Sequence, residues 1–547
     1  MGFLKKIDIT WIETLIFILF FFFSLALMWK TFRISPEGDL EIATKAWSDF
    51  SATIPLIRSF SLGNNFPPQY PIFAGPPIRY HFIFFLIVGL LEKIGIRLDF
   101  ALNTLSSLAF FSLLNLIYIT GKRVFKNRAV GLISVLLFLF NGSFGFLEFF
   151  KKYPLSSKTM IDILQNTQFS TFGPYDGKVV SAFWSLNIFT NQRHLAFAYA
   201  SFLLLAYLIF HYSNKPKELN YKKILLIAIF IGTFPFIHLA VFGMMGLSLI
   251  VSLFIYPKIG KKIIIIGFIA ICLATPQLLY MGSSQNESHF FVPGYLVENL
   301  TLTNFIIYWL YNFGLGTIFI PIGYFLANKN QRKFFLIFLI LFIFGNLFRV
   351  SSEMSANHKF FNLFIIGANF FIANAIVKFW KYHSGKVVSV FSIIFLTFTG
   401  VIDFFPIVND TVITIKDYPN NLTVNYIVSN TPKNSVFLNS SYIFNPASLA
   451  GRKIFLGWPY FSWSAGYDTT SRDTELRSML TPKSFSYLCT KLVNYKIDYI
   501  ILDDPLANND FQIDSRFFDT NFKTVFTDRS SMIKIYKVLP TCNLPLL

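Results

Sequence analysis

Charge is scarce in this chain, and so is cysteine. Only 14% of the 547 residues are charged, against 54% that are hydrophobic, and a soluble fold of this length has too little interior to hide so much apolar surface. A water-soluble globule is therefore excluded. The three cysteines allow one bridge at most, with Cys272 in an apolar run and Cys489 and Cys542 towards the C-terminal end, so no disulfide framework organises the fold. Acids number 28 against 47 Lys and Arg, yet the bases are spread through short loops rather than gathered in a stripe. That pattern suits orientation in a membrane and not a nucleic-acid surface. The motifs GxxxxGK[ST], GxGxxG after a strand, HExxH and paired CxxC are all missing, which removes the usual handles for soluble nucleotides. Nor do the apolar runs carry the internal acids or the repeated broken helices of ion-coupled transport.

What is present is a succession of apolar runs from Leu15 to Phe405, followed by a stretch of ordinary composition. The expected fold is an α-helical polytopic membrane protein of about eleven spans plus interfacial helices, with a C-terminal extracytoplasmic α/β domain. The boundaries fall at residues 1–405 for the membrane part, with a first outer loop at 30–81, and 406–547 for the C-terminal part. Basic clusters at Lys5-Lys6, 121–128, 214–223, 257–262, 328–333 and 378–386 put the N-terminus in the cytoplasm and the C-terminal domain outside. The first apolar run reads as a retained signal anchor. The short "HFIFFLIVGLLEKIGI" is expected at the interface, and residues 224–256, interrupted by "FPFIH", as a hairpin of two short helices with Pro235 and His238 near its turn.

The outer segments must then carry the function. "EIATKAWSDFSATIPLIRSF" has Ile42, Ala46, Phe50, Ile54 and Ile57 at helical spacing, which predicts an amphipathic helix on the membrane surface. Asp49 sits on it at membrane level, where a carboxylate can deprotonate an acceptor or hold a divalent cation, Mg or Mn. Asp39 and Glu41 are the second choices for the same role. Arg58, Arg79 and His81 lie in the same loop and can hold a phosphate. The next outer segment ends in "NQRHLAFAYA", bringing Gln192, Arg193 and His194 to the mouth of a span, as headgroup anchors or as contacts to a lipid-linked phosphate. "SSEMSANHKFF" places Glu353, His358 and Lys359 outside, against the charge trend of outer loops. After Pro406 the runs "SVFLNSS", "KIFLGW", "DYIILDD" and "MIKIYKV" read as strands. Between them "GWPYFSWSAGYD" crowds Trp458, Trp463 and Tyr467 beside Asp468 and Arg472, a set that can stack on sugars or dock the domain onto the spans.

The motif Gly63 to Phe82, "GNNFPPQYPIFAGPPIRYHF", together with "NHKFF" and "GWPYFSWSAGYD", resembles the multi-spanning GT-C glycosyltransferases, especially those related to protein mannosyltransferases and aminoarabinose transferases. That resemblance implies transfer of a sugar from a polyprenyl-phosphate-linked donor, within membrane lipids, to an acceptor glycan, lipid or protein on the outer face. It implies Asp49 as the catalytic acid residue, or else Asp39 or Glu41, with Lys359 and Arg193, or Arg58, Arg79 and His81, on the donor phosphate. Gln192, His358 and the tail residues Trp458, Trp463, Tyr467, Asp468 and Arg472 would contact substrate. The tight acidic pair of many such enzymes is absent, since Asp49 is flanked by Ser48 and Phe50. The other readings are a lipid or polysaccharide transporter, or a non-catalytic scaffold that binds glycans.

Overall fold

A computed structural model describes residues 10–171, 179–284, 289–506 and 510–543; the basic pair Lys5-Lys6 lies outside the described residues. Among these, eight helices are long and apolar enough to cross a membrane: Trp11–Thr31, Leu98–Phe125, Leu195–Asn214, Pro235–Ile255, Pro257–Met281, Lys329–Leu347, Met354–Phe379 and His383–Val408. A ninth span results if Leu302–Phe313 and Gly316–Leu326, bent by 85°, cross together. Against the expected number of about eleven, several apolar runs fold into short helices. Ile83–Lys93, Arg128–Leu139 and Tyr221–Gly232 have 11 or 12 residues, and at 1.5 Å per residue none reaches across a hydrocarbon core of about 30 Å.

The expected hairpin over 224–256 is likewise uneven. Tyr221–Gly232 is short, but Pro235–Ile255 has 21 residues. Pro235 begins it, at a position where no backbone N–H is needed. Three residues on, the backbone leaves the helix at His238 (φ −167°, ψ 99°).

The first long loop and the C-terminal part form one body. Leu40–Ala43, which takes in the first three residues of the expected helix, is a strand pairing antiparallel with Phe32–Ile34 on one side and with Val412–Ile415, just after the last span, on the other. The helix starts only at Trp47 and runs to Ser61. Its apolar face, with Phe50, Ile54 and Ile57 fully buried, packs not on lipid but against Ile83–Lys93 and the tail helix Pro446–Leu449. Burial of each such side chain contributes about 1.5–3 kcal/mol. The helix end meets the tail backbone to backbone. A Cβ on Gly63 would stand 2.2 Å from the Gly451 carbonyl oxygen, and one on Gly451, which adopts φ +73°, 2.4 Å from that of Arg58, so neither position admits a side chain. The Pro-rich connector is more regular than expected, with strands Gln69–Tyr70 and Phe73–Pro77 paired antiparallel.

The tail itself is α/β. Its five-stranded sheet has the spatial order Lys453–Ile454, Val436–Asn439, Tyr499–Leu502, Ile533–Lys537, Lys523–Asp528; the first three strands are parallel and the last two antiparallel. Tyr499–Leu502, paired parallel with Val436–Asn439 and antiparallel with Ile533–Lys537, is the central strand and is buried on both faces. Cys489 and Cys542 are bridged across 53 residues. By chain entropy, closing a loop of that length stabilises by up to about 4 kcal/mol. Cys542→Ser is thus expected to make the tail protease-sensitive several degrees earlier on heating, and cleavage at the wild-type temperature would show that the bridge contributes nothing.

Candidate active site

Where the first loop, the tail and five spans meet, they enclose a cavity of about 1020 Å³. The loop helix contributes Ser48, Asp49 and Thr53; the loop end contributes Arg79, Tyr80 and His81. Gln192 and His194 enter from the start of one span, and Glu353, His358 and Lys359 from another. Trp458 and Tyr460 close the tail side.

Asp49 lies in the first turn of Trp47–Ser61, half-buried, with its carboxyl pushed up to about 6. Loss of hydration is the main cause; the charge of Lys359 opposes it and that of Glu353 adds to it. Asp49, Lys359 and Glu353 therefore form one electrostatic unit, although the sequence separates them by three hundred residues. Glu353 is tied down by the hydroxyls of Ser355 and Tyr460, which links the span end to the tail. Arg79 donates from Nη1 to the Gly466 carbonyl at 2.6 Å and lies 4.9 Å from the Tyr467 ring centre. It too faces the cavity.

Other candidates lie outside the cavity wall, in structural contacts. Asp39 accepts from the Asp417 amide at 3.3 Å, and Glu41 pairs with Arg33 along the sheet. Arg58 is buried between Glu92 and Asp417, each at 2.7 Å, and these carboxylates hold its guanidinium above its ordinary range. Arg193 is fully buried and lowered to about 9 by burial. It donates to Thr31 Oγ1 (2.7 Å), Asn103 Oδ1 (3.2 Å) and the Thr190 carbonyl (2.7 Å), and it stands over the Phe50 ring. Through the Phe50 ring it packs against the first turn of the loop helix, beside Asp49.

Of the tail residues, Trp458 lines the cavity. Tyr467 donates to the Pro77 carbonyl and accepts from the Arg79 amide; Arg472 donates to the Ala74 carbonyl at 2.7 Å across the rings of Phe73 and Phe455. Both dock the tail onto the loop. Asp468 caps the helix Thr469–Leu480 through the Ser471 amide, and Trp463 packs near Tyr460. His358 faces the cavity with its Nδ1 bonded to Asn362 Nδ2 at 3.2 Å.

One histidine, His238, joins the site that residue-by-residue reading had not grouped there. His81, His194 and His238, all buried, bring ring nitrogens within 4.8 Å of one another, a set that could hold a divalent cation. Burial with neighbouring positive charge keeps His81 well below its ordinary range and His194 down to about 3, so both imidazoles are neutral at physiological pH. The signal was in the sequence: a histidine inside an apolar run, as in "FPFIH", marks function by default because a polar side chain at that depth is costly.

No protein-family model matches the sequence, and no curated protein does. Solved structures do. The chain is similar to the archaeal oligosaccharyltransferase AglB from Archaeoglobus fulgidus in complex with an inhibitory peptide and a dolichol-phosphate, at 12% identity over 98% of this chain and 76% of that one, with a TM-score of 0.44. It is also similar to the Archaeoglobus fulgidus oligosaccharyltransferase in complex with Zn and sulfate (12% identity, 90% of this chain and 68% of that one, TM-score 0.44). A third likeness is to that enzyme tethered with an acceptor peptide containing the NVT sequon (10%, 100% and 76%, TM-score 0.46).

Proposed function

We propose that the protein is a membrane glycosyltransferase of the GT-C type, moving a sugar from a polyprenyl-phosphate-linked donor to an acceptor on the extracytoplasmic face. One observation carries the reading: a single cavity joins a raised carboxyl, two cations and a long apolar trough. Leu239, Gly243, Gly246, Leu247 and Ile250 line it along one side of the helix Pro235–Ile255, a distance of about 16 Å at 1.5 Å per residue. At Gly243 and Gly246 nothing lies within 4 Å of the position a Cβ would take. An amphiphile with a charged head and an apolar tail matches that shape, and a soluble sugar nucleotide does not. The outer location is supported by the basic loops at the opposite ends of the spans and by the tail disulfide, which suits an oxidising compartment.

In this reading the head lies between Asp49 and Lys359. The acceptor O–H or N–H attacks the anomeric carbon while the bond from that carbon to the phosphate oxygen breaks. Asp49 takes the acceptor proton; the electron pair leaves with the polyprenyl phosphate, whose charge Lys359 and Arg79 stabilise. The acceptor enters from the tail side, past Trp458 and Tyr460.

Gly243→Leu tests the trough. The site has room for the side chain and the helix gains propensity, so folding is unharmed. Binding of a long-chain polyprenyl phosphate is expected to weaken about tenfold or more, the equivalent of roughly 1.4 kcal/mol, while a short-chain analogue binds as to wild type. Equal loss for both chain lengths would contradict the trough.

A further inference from the structure

We propose that His81, His194 and His238 form a binding site for one late-transition divalent ion of the zinc class, open to the cavity that holds Asp49. The three imidazoles come from the end of the first loop, the entrance of Leu195–Asn214 and the helix break in Pro235–Ile255. All three line the cavity and are at most 8% exposed.

A buried histidine alone is usually a core residue with its ring nitrogens satisfied. These are not. His81 Nε2 and His194 Nε2 face each other at 2.6 Å. Among the described residues His194 Nδ1 and His238 Nε2 are buried without a hydrogen-bond partner. The Val241 amide reaches His238 Nδ1 only at 3.4 Å, too long to fix the tautomer. The His81 and His238 rings lie nearly parallel, 14° apart with centres 4.4 Å apart.

Three imidazoles that bring ring nitrogens within 4.8 Å of one another form a ligand set. Zinc–nitrogen bonds of about 2.0–2.1 Å in tetrahedral arrangement put the nitrogens about 3.3 Å apart; the observed separations, 2.6 Å for one pair and none above 4.8 Å, bracket that value. Imidazole selects zinc, copper, nickel or iron over magnesium and manganese, which prefer oxygen. Among the described residues no cluster of three or more His, Cys, Asp and Glu with metal spacing contains a carboxylate. Three protein ligands leave a fourth position towards the cavity, the pattern of an open rather than a structural site. That this position receives a donor phosphate oxygen rests on the transferase reading; occupancy of the three histidines does not.

The full chain, purified in detergent, loaded with Zn²⁺ and desalted, is expected to retain about one zinc per chain, resistant to excess Mg²⁺. His81→Ala combined with His238→Ala is expected to lose it, and Asp49→Asn to keep it. Zinc-edge X-ray absorption of the wild-type chain should show imidazole nitrogens in the coordination shell, a readout that does not depend on whether the double variant folds. A monodisperse wild-type chain that retains less than about 0.1 zinc, or an oxygen-only shell, would overturn the site. Zinc bound by the histidines in a chain that transfers no sugar would overturn the transferase reading and leave the site standing. Full transfer by the zinc-free chain would remove the phosphate role of the fourth position.

Discussion

Asp49→Asn is expected to lower sugar transfer by about 10²–10⁴, the range for loss of a positioned base, and at the same time to make the protein more stable. A carboxyl pushed up from 3.8 to about 6 by burial is more easily ionised in the unfolded chain than in the folded one. Below about pH 4 it is protonated in both states and adds nothing. Between about 4 and 6 the unfolded chain ionises first, so rising pH costs the fold stability, and above 6 the full cost stands, about 2–3 kcal/mol at roughly 1.4 kcal/mol per pH unit. Asparagine carries no such cost. The melting temperature of the variant should equal that of wild type at pH 4 and exceed it increasingly up to pH 6, beyond which the gap is constant. Wild-type transfer should rise with a midpoint near pH 6, as the carboxylate forms in the folded chain. A variant less stable at every pH would show that Asp49 is a structural residue.

Lys359→Ala carries the second large effect. Removing a cation that stabilises the departing phosphate is expected to cost about 10²–10³ in turnover. A structural role could mimic that loss, but it would not move a titration. Lys359 holds the Asp49 carboxyl down against burial, so without it the midpoint of the remaining activity should shift above pH 6. An unchanged midpoint would mean that the two groups do not sense each other.

Much of the membrane part was legible, because apolar runs report on helices directly; which runs form helices of only 11 or 12 residues was not. The loop helix was legible too, since Phe50, Ile54 and Ile57 repeat at helical spacing and are all buried. Its surroundings were not. The pairing of Leu40–Ala43 with Val412–Ile415 joins segments some 370 residues apart, and no local pattern encodes such a partner. That non-local sheet replaced lipid with the tail as the cover of the helix. It also explains why Arg58, in sequence a free loop cation, is held by Glu92 and Asp417. Asp49, Lys359 and Arg79 could each be proposed from residue type and position. Their meeting in one cavity, with three histidines from three elements, follows from tertiary structure alone.

The most direct measurement is mass spectrometry of the lipids that co-purify with the protein extracted gently from its own membrane, wild type beside Asp49→Asn. A donor reading requires enrichment of polyprenyl phosphate with the wild-type chain and accumulation of its glycosylated form on the variant, where transfer is blocked. Bulk phospholipid alone, identical in the two samples, would contradict it.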